Sequence, residues 1–177
     1  TWMGRARAIL ARGIELDLEI AACRKLVEPG CVYQGERPPS ALELIRSRSV
    51  PLGRVVVVNV GYNDLASDYP EGLDRVMRAL EARGVERVVW VTLRAERASY
   101  AEMNAAIGRA LGRWPQLVVA DWSAASAGRE EIPHGGLVGA VVFPPDQAEA
   151  AAAHGAGGAA HPAAAGRALR AALDPDE

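Results

Sequence analysis

No apolar run in these 177 residues approaches the roughly 18 positions that a membrane-spanning helix needs. An excess of positive charge is missing too. Twenty Lys and Arg stand against 22 Asp and Glu, a net charge of −2, which excludes the electrostatic footprint of a nucleic-acid binder. No phosphate-cradling Gly-rich loop follows any strand-like segment, so a flavodoxin-like nucleotide binder is set aside. The amino-terminal "TWMGRARAIL" has neither a long apolar core nor a small-residue cleavage site, so it does not read as a signal peptide. No initiator Met precedes Thr1, and the chain is expected to begin inside a larger gene product. There is no internal repeat.

Cysteine is scarce: Cys23 and Cys31, in "AACRKLVEPGC", are the only two. No His or further Cys lies near them, which excludes a zinc site there. Pro29-Gly30 would let the segment fold back, and the spacing suits a small disulfide loop. An oxidising, extracytoplasmic compartment would follow from that bond. The alternative is two free thiols, one of them buried.

What is present suits one soluble globular domain over 1–177, with 50% apolar and 24% charged residues. "GRARAILARG" (4–13) predicts a short helix ending at Gly13, and "IELDLEIAA" (14–22) alternates as a strand with one covered face. Ser40 and Glu43 form a capping box for a helix from Ala41 to about Ser47. "GRVVVVNV" is an apolar strand of the kind buried on both faces of a parallel sheet. A helix over about 70–83 carries Leu73, Val76, Met77 and Leu80 on one face and stops at Gly84.

"ERVVWVTL" is the next strand. Ser99 and Glu102 suggest a second capping box, for a helix whose stripe is Met103, Ile107 and Leu111 and which runs to Gly112. "QLVVADW" follows as a strand. The alternation predicts a three-layer α/β/α domain around a parallel sheet. Residues 128–160 are divergent and rich in Ala and Gly; "GGLVGAVVFPPDQ" within them is a strand or an apolar loop. "HPAAAGRALRAAL" closes the chain as a helix with Pro162 in its first turn.

In open parallel sheets, functional groups collect outside the carboxyl ends of the strands. "VVVVNVGYND" delivers Asn63 and Asp64 to such an end, where the Asn63 amide could donate to an oxyanion. Gly-x-Asn-Asp also makes a good turn, with its Asx side chains bonding the local backbone.

The segments "ACRKL", "RPPSALELIR", "VVVVNVGYND", "GLDRVMRAL", "RVVWVTLR", "YAEMNAAI" and "VVADWSA", in this order, resemble the SGNH (GDSL-type) hydrolases, particularly small extracytoplasmic actinobacterial esterases and acyltransferases. The resemblance extends to about Arg129. It implies the family's flavodoxin-like α/β/α fold and a serine ester hydrolase or O-acyltransferase without metal or organic cofactor. The partner would be an acyl ester of a small molecule, carbohydrate or lipid.

By that resemblance Asn63 is an oxyanion donor, Gly61 and Asp64 shape its turn, and Cys23 contributes a backbone N–H where the family usually has Gly. His161 in "HPAAAGRAL" matches the family's general base, with Gly158 where an orienting Asp is expected. His134, preceded by Glu131 at the same spacing, is the alternative, and His154 reads as a solvated loop residue. The nucleophilic Ser is expected just before Thr1, and the family's first strand, central in its sheet, is absent from this sequence. Thr1 as an amino-terminal nucleophile has no other support. Ser123 and Ser126 read as turn residues. Arg24 and Arg94 read as solvated surface arginines, with contact to an anionic or carbohydrate substrate as the alternative. A scaffold that has lost its chemistry is the competing reading, favoured by Gly158 and the Ala/Gly tail.

Overall fold

The computed structural model describes residues 17–94 and 97–128, and the backbone of 139–143. Its elements are β1 (Asp17–Ile20), α1 (Ala41–Ser47), β2 (Val55–Asn59), α2 (Tyr69–Ala82), β3 (Arg87–Val91), α3 (Ala98–Ala110), β4 (Leu117–Ala120), α4 (Trp122–Ala125) and β5 (Gly139–Phe143). The helices expected over 4–13 and 161–173, and residues 14–16 of the first expected strand, lie outside the described residues.

The apolar runs become strands as expected, in the order β1-β5-β2-β3-β4. β2, β3 and β4 are mutually parallel, with Val56 opposite Val88 and Val89 opposite Val118. The expectation of an all-parallel sheet needs correction. β5, left open as strand or loop, is a strand that pairs antiparallel with both β1 and β2. It lies between them, so the described sheet is continuous there. Since β1 and β2 each run opposite to β5, they point the same way, and their carboxyl ends share one edge with those of β3 and β4.

Successive strand side chains alternate between faces. Val56, Val58, Val60, Val88, Trp90 and Leu117 form one core with the apolar faces of α1, α2 and α3, so these three helices cover one face of the sheet. Leu73, Val76, Met77 and Leu80 of α2 are fully buried there, each such side chain being worth about 1.5–3 kcal/mol. Val57 and Val89, directed to the opposite face, are buried as well, in keeping with the continuous apolar runs.

Local signals set most helix ends. Ser40 accepts from the Glu43 N–H at 3.1 Å while the Glu43 carboxylate accepts from the Ser40 N–H at 2.8 Å, so the first capping box forms. Those bonds, the backbone one foremost, hold the Glu43 carboxyl below its ordinary range. Gly84, at φ 75°, closes α2, with the Val85 N–H on the Leu80 carbonyl and the Gly84 N–H on the Glu81 carbonyl. The carboxyl end of α1 is capped from a distance. Arg83 donates to the carbonyls of Ile45, Arg48 and Val50 at 3.0, 2.8 and 2.8 Å, and Arg48 in turn pairs with Asp17 and Glu19 on β1.

Three boundaries depart from the sequence reading. The second capping box does not form: Arg97 precedes α3 in extended conformation, and its carbonyl accepts from the Tyr100 and Ala101 N–H groups. Ser99 therefore falls inside the first turn instead of ahead of it. At the other end α3 stops at Ala110, and Leu111 is 46% exposed, outside the buried stripe of Met103, Ile107 and Ala110. Trp122 starts α4 because the Asp121 carboxylate caps it, accepting from the Ala124 N–H at 3.0 Å. Ser123 is thus helical, and Ser126 caps the helix end with its hydroxyl on the Trp122 carbonyl at 2.6 Å. Among the described residues no helix is long and apolar enough to cross a membrane.

Candidate active site

β2 ends at Asn59, and the chain leaves the sheet through Val60 and Gly61. Gly61 takes φ 150°, and a Cβ on it would stand 2.8 Å from Leu93 Cδ1 and 2.9 Å from Tyr69 Cε2, so only glycine lets the chain pass. The turn closes with the Asp64 N–H on the Gly61 carbonyl at 3.0 Å. Tyr69, fully buried at the start of α2, donates its hydroxyl to the Val60 carbonyl at 2.7 Å and accepts from Trp90 Nε1 at 3.0 Å. Burial above all pushes its phenol far above the ordinary range, so it remains a neutral donor. Tyr69 is a residue the sequence reading missed; position 69 ahead of Pro70 was legible as a helix start, but its hydroxyl partner lies across the sheet end.

The Asp64 carboxylate reaches outward from the turn. Its oxygens accept from the Leu26 N–H at 3.0 and 3.3 Å, tying the segment after β1 to the segment after β2. Desolvation raises its pKa, against the lowering influence of that N–H and of Lys25. The side chain thus bonds a residue 38 positions away instead of its own local backbone. Asn63, half-buried beside it, makes no hydrogen bond among the described residues.

Cys23 stands three residues past β1, at the same sheet edge. It is bonded to Cys31, with Cα atoms 5.2 Å apart, so the disulfide alternative holds and the free-thiol one does not. Gly30 makes the fold-back, since a Cβ there would lie 2.5 Å from the Cys23 carbonyl oxygen and 2.8 Å from Pro38 Cγ. Cys23 has φ 62°, in the left-handed region where glycine is favoured. Its N–H has no backbone partner among the described residues.

Arg24 is not a solvated surface arginine. It is 3% exposed and donates to the Pro39 carbonyl at 3.1 Å, while its Nε meets no partner among the described residues. Desolvation lowers its pKa, partly offset by Glu19. Arg94 is half-buried, and its N–H donates to the Tyr62 hydroxyl at 3.1 Å.

Around the turn stand further groups that the sequence reading passed over. Asn104 on α3 acts as a strand partner for Leu93, accepting from its N–H at 2.8 Å and donating to its carbonyl at 2.7 Å. Tyr100, one helical turn earlier, donates to the Tyr62 carbonyl at 3.3 Å, and its ring meets the Tyr62 ring edge-on at 5.3 Å. The Tyr100–Asn104 spacing, four apart, places both on one helix face and was the available signal.

An open groove of about 430 Å³ lies farther along the edge, between α3 and β4, lined by Thr92, Ala101, Asn104, Leu111, Val119 and Asp121 among others. Thr92 donates to Asp121 at 3.0 Å and accepts from the Ser123 N–H at 2.8 Å. None of Cys23, Gly61, Asn63 and Asp64 lines this groove. His161, His134, Glu131, His154 and Gly158, like Thr1, lie outside the described residues. Among the described residues no cluster of His, Cys, Asp and Glu could hold a metal ion. In comparisons with known proteins, the chain matches no family model, no curated protein and no solved structure.

Proposed function

We propose that this chain carries the scaffold and oxyanion-binding half of an SGNH-type serine ester hydrolase or O-acyltransferase, acting on an acyl ester outside the cytoplasm. One observation carries the reading. Two hydrogen-bond donors without partners among the described residues, the Asn63 amide and the Cys23 N–H, stand past two strand ends at one sheet edge, joined by the Asp64–Leu26 bond. Such donors stabilise charge developing on an acyl carbonyl oxygen in the transition state. The glycine-favouring φ of Cys23 supports its match to the family's glycine, and the disulfide supports an oxidising compartment.

In this reading a Ser Oγ from just before Thr1 attacks the carbonyl carbon. His161 takes the Ser proton and returns it to the departing alkoxide, and water or an acceptor hydroxyl then cleaves the acyl-serine ester. Hydrolysis of 4-nitrophenyl acetate tests it, on this chain and on a form extended through the upstream-encoded residues. Asn63→Ala is expected to lower kcat about 10²- to 10³-fold, and His161→Ala to abolish turnover. Loss with His134→Ala instead moves the base to His134 beside Glu131. No turnover in either form overturns the enzymatic reading in favour of a scaffold that binds without catalysing, which Gly158 in place of an Asp already favours.

A further inference from the structure

Arg97 is exposed, directly ahead of α3, and no carboxylate pairs with it among the described residues. Its guanidinium lies over the Tyr100 ring, 5.6 Å from the centroid. A cation held on a ring face keeps its N–H edge available, and a guanidinium presents that edge as a fork matched to a carboxylate. Tyr100 is itself anchored: its hydroxyl bonds the Tyr62 carbonyl at 3.3 Å, and the two rings meet edge-on at 5.3 Å. Tyr62 is the residue before Asn63. The cation is therefore mounted, through two aromatic rings, on the turn that carries the Asn63 amide. The nearest acidic group of that turn, Asp64, is engaged by the Leu26 N–H.

Resting on the ester reading above, we infer that Arg97 and Tyr100 form a specificity subsite for the anionic end of the ester, selecting acyl esters that carry a carboxylate over neutral ones. Arg97 is here a substrate-recognising residue and takes no part in bond breaking. The contact is solvent-exposed, and an exposed ion pair supports a preference of about three- to fivefold.

The test is a ¹⁵N-resolved NMR titration of the 177-residue chain with monomethyl succinate, which is anionic, and dimethyl succinate, which is neutral. Methanol release is followed in the same tubes. The amides of Tyr62, Asn63, Arg97 and Tyr100 are expected to respond to the monoester at about three- to fivefold lower concentration than to the diester. Arg97→Gln should remove that difference. Arg97→Glu should invert it and bring a response to acetylcholine, a gain that misfolding cannot produce. Equal titration by the two esters, or a preference that survives Arg97→Gln, overturns the subsite. An Arg97-dependent preference without methanol release from this chain or its upstream-extended form overturns the hydrolase reading and leaves the subsite standing. Absence of any response overturns both.

Discussion

Tyr69→Phe deletes one oxygen atom from the centre of the molecule. The ring stays, and its edge-on contact with Trp90, 6.4 Å between centroids, is undisturbed. The change therefore isolates the hydroxyl. That oxygen is donor to the Val60 carbonyl at 2.7 Å and acceptor from Trp90 Nε1 at 3.0 Å, at a residue only 1% exposed. Its removal orphans both partners inside the core. Leaving a buried polar group unsatisfied costs about 1–3 kcal/mol, so two such groups imply a loss of about 2–6 kcal/mol. For a chain of this size that corresponds to a fall in Tm of roughly 4–24 °C.

A pH dependence comes with it. Burial holds the Tyr69 phenol far above its ordinary range in the folded state. A group whose folded pKa is raised contributes its full stability below the unfolded value, about 10 for tyrosine, and loses it as the pH rises further. Above about pH 10 the wild type should lose up to roughly 1.4 kcal/mol per pH unit from this group alone, and the variant nothing. Urea unfolding of both proteins between pH 7 and about pH 11 reads the two effects together. A loss under about 0.5 kcal/mol at pH 7, or a wild-type–variant gap that does not narrow above pH 10, would refute the buried hydroxyl bridge.

Asp64→Ala leaves the Leu26 N–H without its acceptor and should cost about 1–3 kcal/mol, whereas Asp64→Asn keeps an acceptor and should cost less. Because desolvation raises the Asp64 pKa, the stability of the wild type relative to Asp64→Asn should be greatest below the ordinary carboxyl range. It should fall as the pH rises through the raised value; the opposite slope in paired urea melts would contradict the assignment. Replacing Cys23 and Cys31 by serine should cost about 2–3 kcal/mol for a loop this short. Glycine at 23 with serine at 31 should recover about 1 kcal/mol of that, since glycine takes φ 62° without strain; equal melting temperatures for the two double variants would count against the left-handed conformation. Arg83→Gln removes three carbonyl contacts from the end of α1. It should cost about 1–3 kcal/mol and speed amide hydrogen exchange in that last turn, while unchanged exchange would show that Arg83 is not the cap.

The features legible in the amino-acid sequence are those settled within a few residues. The Ser40–Glu43 box, the stop at Gly84, the fold-back at Gly30 and the runs around Val55–Val58 and Val88–Val91 depend on neighbours and on hydrophobic period, and each appears where those neighbours put it. The same holds for Asn63 at a strand end, which follows from "VVVVNVGYND" alone. What needed the assembled sheet are the partners of these residues. The direction and place of β5 rest on pairing with strands 80 or more positions away. Local patterns carry no trace of the Asp64–Leu26 bond, the Tyr69–Val60–Trp90 bridge, the Asn104 clamp on Leu93 or the burial of Arg24. Each is a choice among many polar partners, decided by which strand ends the topology brings together. Short-range backbone preference thus determines where the chain turns, and long-range packing determines what each turn holds in place.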